Sequence, residues 1–351
     1  MSQFKIHILY DFQGGPWGGG NQFLKCLKKG FENIGVYTNE IGKANVLLFN
    51  NYPFRNESYF NEAIKFKKYN PRGIIINRID GPISLIRNRD RDVDVVIAGF
   101  SKLFVDGIVC QSGWSKSRNK ELFNLSANYE TIIYNASDSD IFNANGKKAF
   151  QPSGKVRLIA TSWSGNWQKG FEIYKYLDEN LDFNKYEMTF VGSSPIEFKN
   201  IKWVKPVSSD ILAGILKEHD IYITASQNDP CSNALIEALS CGLPAVALNS
   251  GGHPELIGGG GTLFNGNADV IGAINEVTVN YDDYVSELPK YSIENIVNSY
   301  LAFAQQIQKD MLNGNYICKK VSIGNRFIML YLFIRIFVWK IMVWVRNKCK
   351  I

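Results

Sequence analysis

The chain has 351 residues, 45% of them hydrophobic and 21% charged, an ordinary globular composition and length enough for two cores. Its net charge of +6 is uneven: residues 313–351 hold eight Lys or Arg and no Asp or Glu, leaving 31 basic against 33 acidic residues elsewhere. The body therefore gives no support to a nucleic-acid-binding face, and six scattered cysteines without a CxxC pair, beside three histidines, lack metal-ligand spacing and fit reduced thiols in a cytoplasmic protein.

Short apolar runs alternate with helix-length segments from the first residues to about residue 270. FKIHILY (4–10) opens the series; it ends at Asp11, too soon for a signal peptide. NVLLFN (45–50), GIIINRI (73–79), DGIVCQS (106–112) and TIIYNAS (131–137) complete five predicted strands of a first half. VRLIATS (156–162), YEMTFVGS (186–193), IKWVKP (201–206), DIYITAS (220–226) and PAVALN (244–249) are those of a second. Runs rich in Val and Ile and bounded by Gly, Asn and Ser suit parallel strands buried on both faces. The alternation, occurring twice, predicts two doubly wound α/β domains, 1–150 and 151–310, joined through the polar stretch 143–155. Two such sheets facing across a cleft would hold ligand at the C-terminal ends of their strands.

Between the first strand and its helix lie five glycines in seven positions: Gly14, Gly15, Gly18, Gly19 and Gly20. Glycine permits close backbone approach, and a helix N-terminus attracts an anion. The run is neither GxGxxG nor a P-loop, and a plain flexible βα turn remains open for it. Lys169 follows the first strand of the second half, where a cation can pair with a diphosphate and stabilise a leaving group; alone, it reads more often as a solvated lysine, and its place at the strand-helix junction raises the functional reading. Asp229-Pro230 suits a helix start. Glu237 interrupts Ala234-Leu235-Ile236-Glu237-Ala238-Leu239, where a carboxylate is costly to bury without donors such as a ribose diol, unless it lies on a solvated face. Gly251 and Gly252, after the strand PAVALNS, can offer backbone N–H groups to a phosphate. His253 in the same turn carries no predicted role.

After Asp310 the character changes. Phe327 to Val345 is apolar apart from Arg335 and Lys340 and is flanked by Lys319, Lys320, Arg326, Arg346, Lys348 and Lys350. A spanning helix needs roughly 20 apolar residues, and a mid-span Arg costs about 2.5–3.5 kcal/mol on insertion scales. Peripheral attachment to an anionic membrane through 319–350, with Trp339 and Trp344 at headgroup level, is the expectation; a buried C-terminal helix or a dimer interface is the alternative.

Taken in order, the acid-x7-Glu spacing of Asp229 and Glu237, EALSCGLPAV and SGGHPELI resemble the retaining glycosyltransferases of the GT-B fold, family 4, with the likeness covering about residues 5–310. The resemblance implies a nucleoside diphosphate sugar donor in an interdomain cleft, net retention of anomeric configuration, and neither metal nor other cofactor. By position it implies that Glu237 binds the ribose and Asp229 sits at the donor sugar. Lys169 would meet the diphosphate, Gly18, Gly19 and Gly20 the donor phosphates, and Gly192 and Ser193 the base. Three departures stand out. The first acid is Asp rather than Glu, Ser162 and Trp163 stand near where an Arg precedes the Lys, and the acceptor-side His is missing. Near the place of that His stand Arg78 and Asp80, the candidates for the acceptor or phosphate side, although Asp80-Gly81-Pro82 also reads as a plain turn.

The expected activity is transfer of a sugar, UDP-linked first, to a saccharide or lipid-linked acceptor in cell-surface polysaccharide or lipopolysaccharide biosynthesis. It would take place at the cytoplasmic face of the inner membrane. A nucleotide-sugar epimerase on the same fold and a non-catalytic nucleotide-sugar binder are the competing readings.

Overall fold

The computed structural model describes residues 4–14, 19–50 and 58–348. The chain divides into two compact units. The first comprises residues 1–12, 28–133 and 297–351, and the second 13–27 and 134–296.

The first unit is built on a five-stranded parallel sheet of β1 (Ile6–Leu9), β2 (Val46–Asn50), β3 (Ile74–Ile79), β4 (Gly107–Cys110) and β5 (Tyr129–Ile132), in that spatial order. Every residue of β2, β3 and β4 is buried, as strands covered on both faces must be. A parallel bridge between Ile6 and Tyr37, with the Ile6 amide donating to the Val36 carbonyl at 2.8 Å, adds a rudimentary strand on the far side of β1. The winding direction thus reverses at β1, the strand that feeds the glycine-rich loop. Around this sheet run α1 (Gly19–Asn33), α2 (Ser58–Tyr69), α3 (Ile83–Arg87), α4 (Arg91–Phe104) and α5 (Gly113–Phe123). The first turns of α1 are grouped with the second unit.

The second unit carries six parallel strands: β6 (Val156–Ser162), β7 (Tyr186–Gly192), β8 (Lys202–Val204), β9 (Ile221–Thr224), β10 (Ala245–Leu248) and β11 (Gly261–Phe264). Their order is β11-β10-β9-β6-β7-β8, so the reversal falls between β6 and β9. Its helices are α6 (Phe171–Asn180), α7 (Ser209–Lys217), α8 (Asn233–Ser240), α9 (His253–Ile257), α10 (Asn267–Val279) and α11 (Tyr281–Ser286). They bury one apolar cluster on each face of the sheet.

The chain then runs through α12 (Ile293–Leu312) into the first unit, where it ends in α13 (Ile323–Lys348). One stripe of α13, Met329, Leu332, Ile336 and Trp339, joins the first unit's core against α4. Leu332 lies over Gly99, where an added Cβ would sit 3.1 Å from its Cδ2. Arg335 turns inward to pair with Asp92, which removes the mid-helix cation from the outer face. The remaining faces of α13 are bare, with Phe327 70%, Phe337 63% and Trp344 58% exposed. By length and composition Ile323–Arg346 is apolar enough to cross a membrane, and most of it is not buried in the protein.

Nine of the ten strands expected from the sequence form within their runs, and the fifth is shifted to Tyr129–Ile132, sharing only Thr131 and Ile132 with TIIYNAS. β11 and the Tyr37 bridge are additional. Both are short and lie at sheet edges, where a strand needs little apolar pattern of its own.

Candidate functional site

At the reversal point of the second sheet, the loops leaving β6 and β9 meet. After β6, Asn166 caps a single 3₁₀ turn, its side chain accepting from the Gln168 amide at 3.2 Å. Gly170 follows in the left-handed region at φ 93°. A Cβ there would lie 2.3 Å from that of Ala225 and 2.6 Å from its carbonyl oxygen, so only glycine lets this turn close on the end of β9. That closure carries Lys169 to the acid of the next loop. Its Nζ donates to Asp229 Oδ2 at 3.0 Å and to Ser226 Oγ at 3.2 Å. An ammonium has three N–H donors, and these two described partners leave one for a ligand.

Asp229 is held from both ends. Its carboxylate also accepts from the Cys231 amide at 3.3 Å, and its carbonyl accepts from the Gly252 amide at 2.8 Å. Burial alone would raise its pKa, but the Lys169 charge, His253 and these hydrogen bonds bring it below the usual carboxylate range. Gly251 adopts φ +65°, and a Cβ on it would strike the Asp229 carbonyl oxygen at 2.2 Å. The Gly251-Gly252 turn therefore clamps Asp229, and the Gly252 N–H expected to remain available for phosphate is already engaged.

His253 starts α9, fully buried beside this turn. Its Nδ1 lies 2.9 Å from the Leu248 carbonyl, which assigns the proton there, and its Nε2 is buried without a partner among the described residues. Desolvation holds its pKa below the ordinary imidazole value, against the opposing pull of Asp229.

Glu237 lies on α8. The helix is capped by the Ser232 hydroxyl accepting from the Leu235 amide at 3.4 Å, rather than by Asp229. Glu237 keeps partial exposure, yet desolvation pushes its pKa up to about 8. No described residue donates a hydrogen bond to its carboxyl. One turn earlier on the same face stands Asn233. Its Oδ1 accepts from Asn135 Nδ2 at 3.1 Å, and the backbone of Gly19 packs so close that a Cβ would meet Asn233 Nδ2 at 2.2 Å. The glycine loop and the Glu237 face of α8 therefore converge. Gly20 has open space around its Cα, and Gly18 lies outside the described residues.

Gly192 ends β7 at φ 129°, where a Cβ would fall 1.9 Å from the Ser162 carbonyl oxygen. That oxygen accepts from the Ser193 amide at 2.9 Å, and the Gly192 carbonyl accepts from Trp203 Nε1 at 2.9 Å. The turn is thus fixed against the end of β6.

In the first unit, Arg78 is a buried residue at the end of β3, donating to Asn50 Oδ1 at 2.7 Å and Asp80 Oδ1 at 3.1 Å. Gln111 also donates to Asp80, whose backbone carbonyl accepts from Ser115 and Asn119. Asp80 itself is 41% exposed, so the network presents its carboxylate at the C-terminal edge of the first sheet.

Asn166, Gly170, Ser226, Asn233 and Asn135 escaped the sequence reading. The Asn166 cap and the αL-capable Gly170 on either side of Lys169 were the local signals; Ser226, Asn233 and Asn135 act across 57 to 98 positions of chain.

No curated protein matches the sequence. Among solved structures, sucrose-phosphate synthase from Thermosynechococcus elongatus superposes with a TM-score of 0.64 at 12% identity, over 89% of this chain and 100% of the other. HepE from Anabaena, solved with UDP-glucose, gives 0.61 at 13% over 88% and 99%. A glycosyltransferase from Rickettsia africae gives 0.56 at 14% over 86% and 85%. The fold is that of the GT-B glycosyltransferases, and residues 173–279, which span α8 and the Asp229 loop, match the family described as glycosyl transferases group 1.

Proposed function

We propose that the protein is a retaining, metal-independent glycosyltransferase. It would move a sugar from a nucleoside diphosphate sugar, UDP-linked first, to a saccharide or lipid-linked acceptor in cell-surface polysaccharide or lipopolysaccharide synthesis. The observation that carries this reading is the Lys169–Asp229 pair at the reversal point of the second sheet, with one ammonium donor in reserve. HepE, a structural neighbour solved with UDP-glucose, supports the choice of UDP.

In this reading the reserve N–H of Lys169 takes a diphosphate oxygen and stabilises the charge that grows as the C1–O bond breaks. The acceptor hydroxyl oxygen bonds the same carbon through an oxocarbenium-like state, and its proton passes to the departing diphosphate. Glu237, without a described donor, accepts the two ribose hydroxyls. Asp229, clamped by Gly251-Gly252, faces the donor sugar. Gly19 and Gly20 line the donor phosphates and the turn at Gly192-Ser193 the base. Arg78 and Asp80 serve the acceptor. Residues 319–350 hold the enzyme to the anionic cytoplasmic face of the plasma membrane, where a lipid-linked acceptor would be found.

A thermal-shift series with UDP, GDP, ADP and their sugar conjugates tests the donor half, since a ligand that binds the folded chain stabilises it by mass action. UDP is expected to raise the melting temperature. Lys169→Ala is expected to weaken UDP by about 10- to 100-fold, the loss of a charge-assisted bond of roughly 1.5–3 kcal/mol. Radiolabel from the stabilising conjugate should then pass to membrane lipid acceptors. Binding without transfer would point to a non-catalytic binder, and conversion of the donor without any acceptor to an epimerase.

A further inference from the structure

Helix α13 runs antiparallel to α4. Its Trp339 Nε1 donates at 3.0 Å to Asp90, which immediately precedes α4, Arg335 pairs with Asp92, and Leu332 lies over Gly99. Lys319, ahead of α13, donates to the Ser101 and Lys102 carbonyls near the far end of α4. The first turn of α4 stands at the C-terminal edge of the first sheet. There the Asp94 carboxylate accepts from the Ile83 and Ser84 amides at 2.7 and 2.9 Å, as α3 leaves the Asp80-Gly81-Pro82 turn. The helix α13 therefore points towards the edge that presents Asp80. It continues past Trp339 through residues 340–348, an overhang of about 13 Å at 1.5 Å per residue.

The overhang is apolar and bare: Ile341 is 47%, Met342 37%, Trp344 58% and Val345 43% exposed. Phe327, Leu330, Ile334 and Phe337 continue the same face along the helix at 3.6-residue spacing, opposite the stripe sealed in the core. Exposed Arg326 begins this face and exposed Lys348 ends it, and residues 311–351 contain no acid. A second copy laid on the face in either direction would bring cation against cation, whereas an anionic bilayer complements both ends. Between the overhang and Asp80 stands only α3, five residues and about 8 Å long, whose Arg87 shares a cavity wall with Trp339 and Trp344.

We infer that the acceptor is lipid-linked and is taken from the bilayer at this overhang. Its chain lies against Ile341, Met342 and Trp344, and its reacting hydroxyl reaches Asp80 within the first sugars of the head. Held in the core by its inner stripe, α13 then lies along the membrane and not across it. The inference rests on the transferase reading above and narrows its acceptor.

Transfer from radiolabelled UDP-glucose, UDP-galactose or UDP-N-acetylglucosamine by the full chain tests it. The acceptors offered are the organic extract of the producing cells' membranes, in phosphatidylcholine–phosphatidylglycerol vesicles, and the water-soluble glycans of the same cells. Label is expected in the organic phase, on products whose mass gives only a few sugars. Met342→Ser with Trp344→Ser strips the overhang; Phe327→Ser with Leu330→Ser strips the same face at its other end. With vesicles in excess, so that both variants are bound, KM for the extract should rise about tenfold more in the overhang pair than in the far pair at equal kcat, which is what the burial of one large apolar side chain is worth. Met342→Leu with Trp344→Phe should restore it. Unchanged melting temperatures and UDP thermal shifts establish that the variants fold and bind donor. Label on water-soluble glycans alone, or equal rises in KM in the two pairs, would overturn the inference while leaving the transferase reading intact. A sedimenting dimer lost in both pairs would give the face to a second copy and overturn it too. No label in either fraction beside a persistent UDP shift would remove the transferase reading, and the inference with it.

Discussion

Glu237 sits on α8 with its carboxyl desolvated and no described donor to compensate, and its pKa rises from 4.5 to about 8. A folded-state pKa above the unfolded one means that the folded chain holds the proton more tightly. Its contribution to stability is therefore complete below about pH 4.5 and is lost as pH climbs to about 8. Glu237→Gln, which mimics the protonated form, should leave the melting temperature unchanged at pH 4. At pH 9 it should raise it by about 3–6 °C, the size of roughly 1.5 kcal/mol in a domain of this length, partial exposure keeping the gain below the full shift. Saturating UDP should erase that advantage if the ribose hydroxyls supply the missing donors, because the wild-type carboxylate then recovers its desolvation cost and the amide does not. Calorimetric melts of both forms at the two pH values, with and without UDP, check it. A pH-independent difference would remove Glu237 from the donor site. His253 works in the opposite sense: with its pKa depressed by burial, it costs stability as pH falls below the ordinary imidazole range, so the two groups confine the apo protein's stability from both sides.

At the scale of elements, α13 serves two purposes on different faces. Met329, Leu332, Ile336 and Trp339 are part of the first unit's core, and the segment leading into the helix is tied to the same unit. Asp106, paired with Lys67, also accepts from the Tyr316 hydroxyl at 2.8 Å and the Lys319 amide at 3.0 Å. A hydrophobic tail with a single purpose would tolerate truncation of any of its side chains equally. Here Leu332→Ala should destabilise the protein by about 2–4 kcal/mol, the usual cost of deleting a buried leucine. Phe337→Ser, on the bare face, should leave stability within about 0.5 kcal/mol while lowering vesicle affinity severalfold. Urea melts and flotation on the same two proteins separate the faces; equal destabilisation by both would mean that the outer face is covered by protein.

For the molecule as a whole, what the sequence disclosed follows from how local each signal is. Strands buried on both faces announce themselves as apolar runs, so the interior strands of both parallel sheets were legible, as was the spacing of Asp229 and Glu237, while the short edges at β11 and Tyr37 were not. The partners that give these acids their properties were not. Lys169 meets Asp229 across 60 positions, and Asp106 meets Tyr316 across 210. Arg335, which in sequence only interrupts the apolar stretch, pairs with Asp92 across 243. Such pairs have no local pattern; they exist because parallel crossovers return distant loops to one sheet edge. The charge map was legible in sum but not in place: the eight basic residues of 313–351 reduce, on the outer surface, to those not turned inward as Arg335 and Lys319 are. This division sets the salt response. Surface cations attract an anionic bilayer through a field screened within about 10 Å at 0.1 M salt and about 3 Å at 1 M. The apolar face of α13 contributes burial that salt does not weaken. Flotation of the full chain on phosphatidylglycerol vesicles should therefore fall by at least about tenfold between roughly 0.1 and 1 M salt and then level off at a residual affinity. Phe327→Ser with Phe337→Ser should abolish that residue of binding without changing the steep part of the curve. A decline to zero in the unaltered chain would mean that charge alone holds it to the membrane and that the bare face of α13 is turned elsewhere.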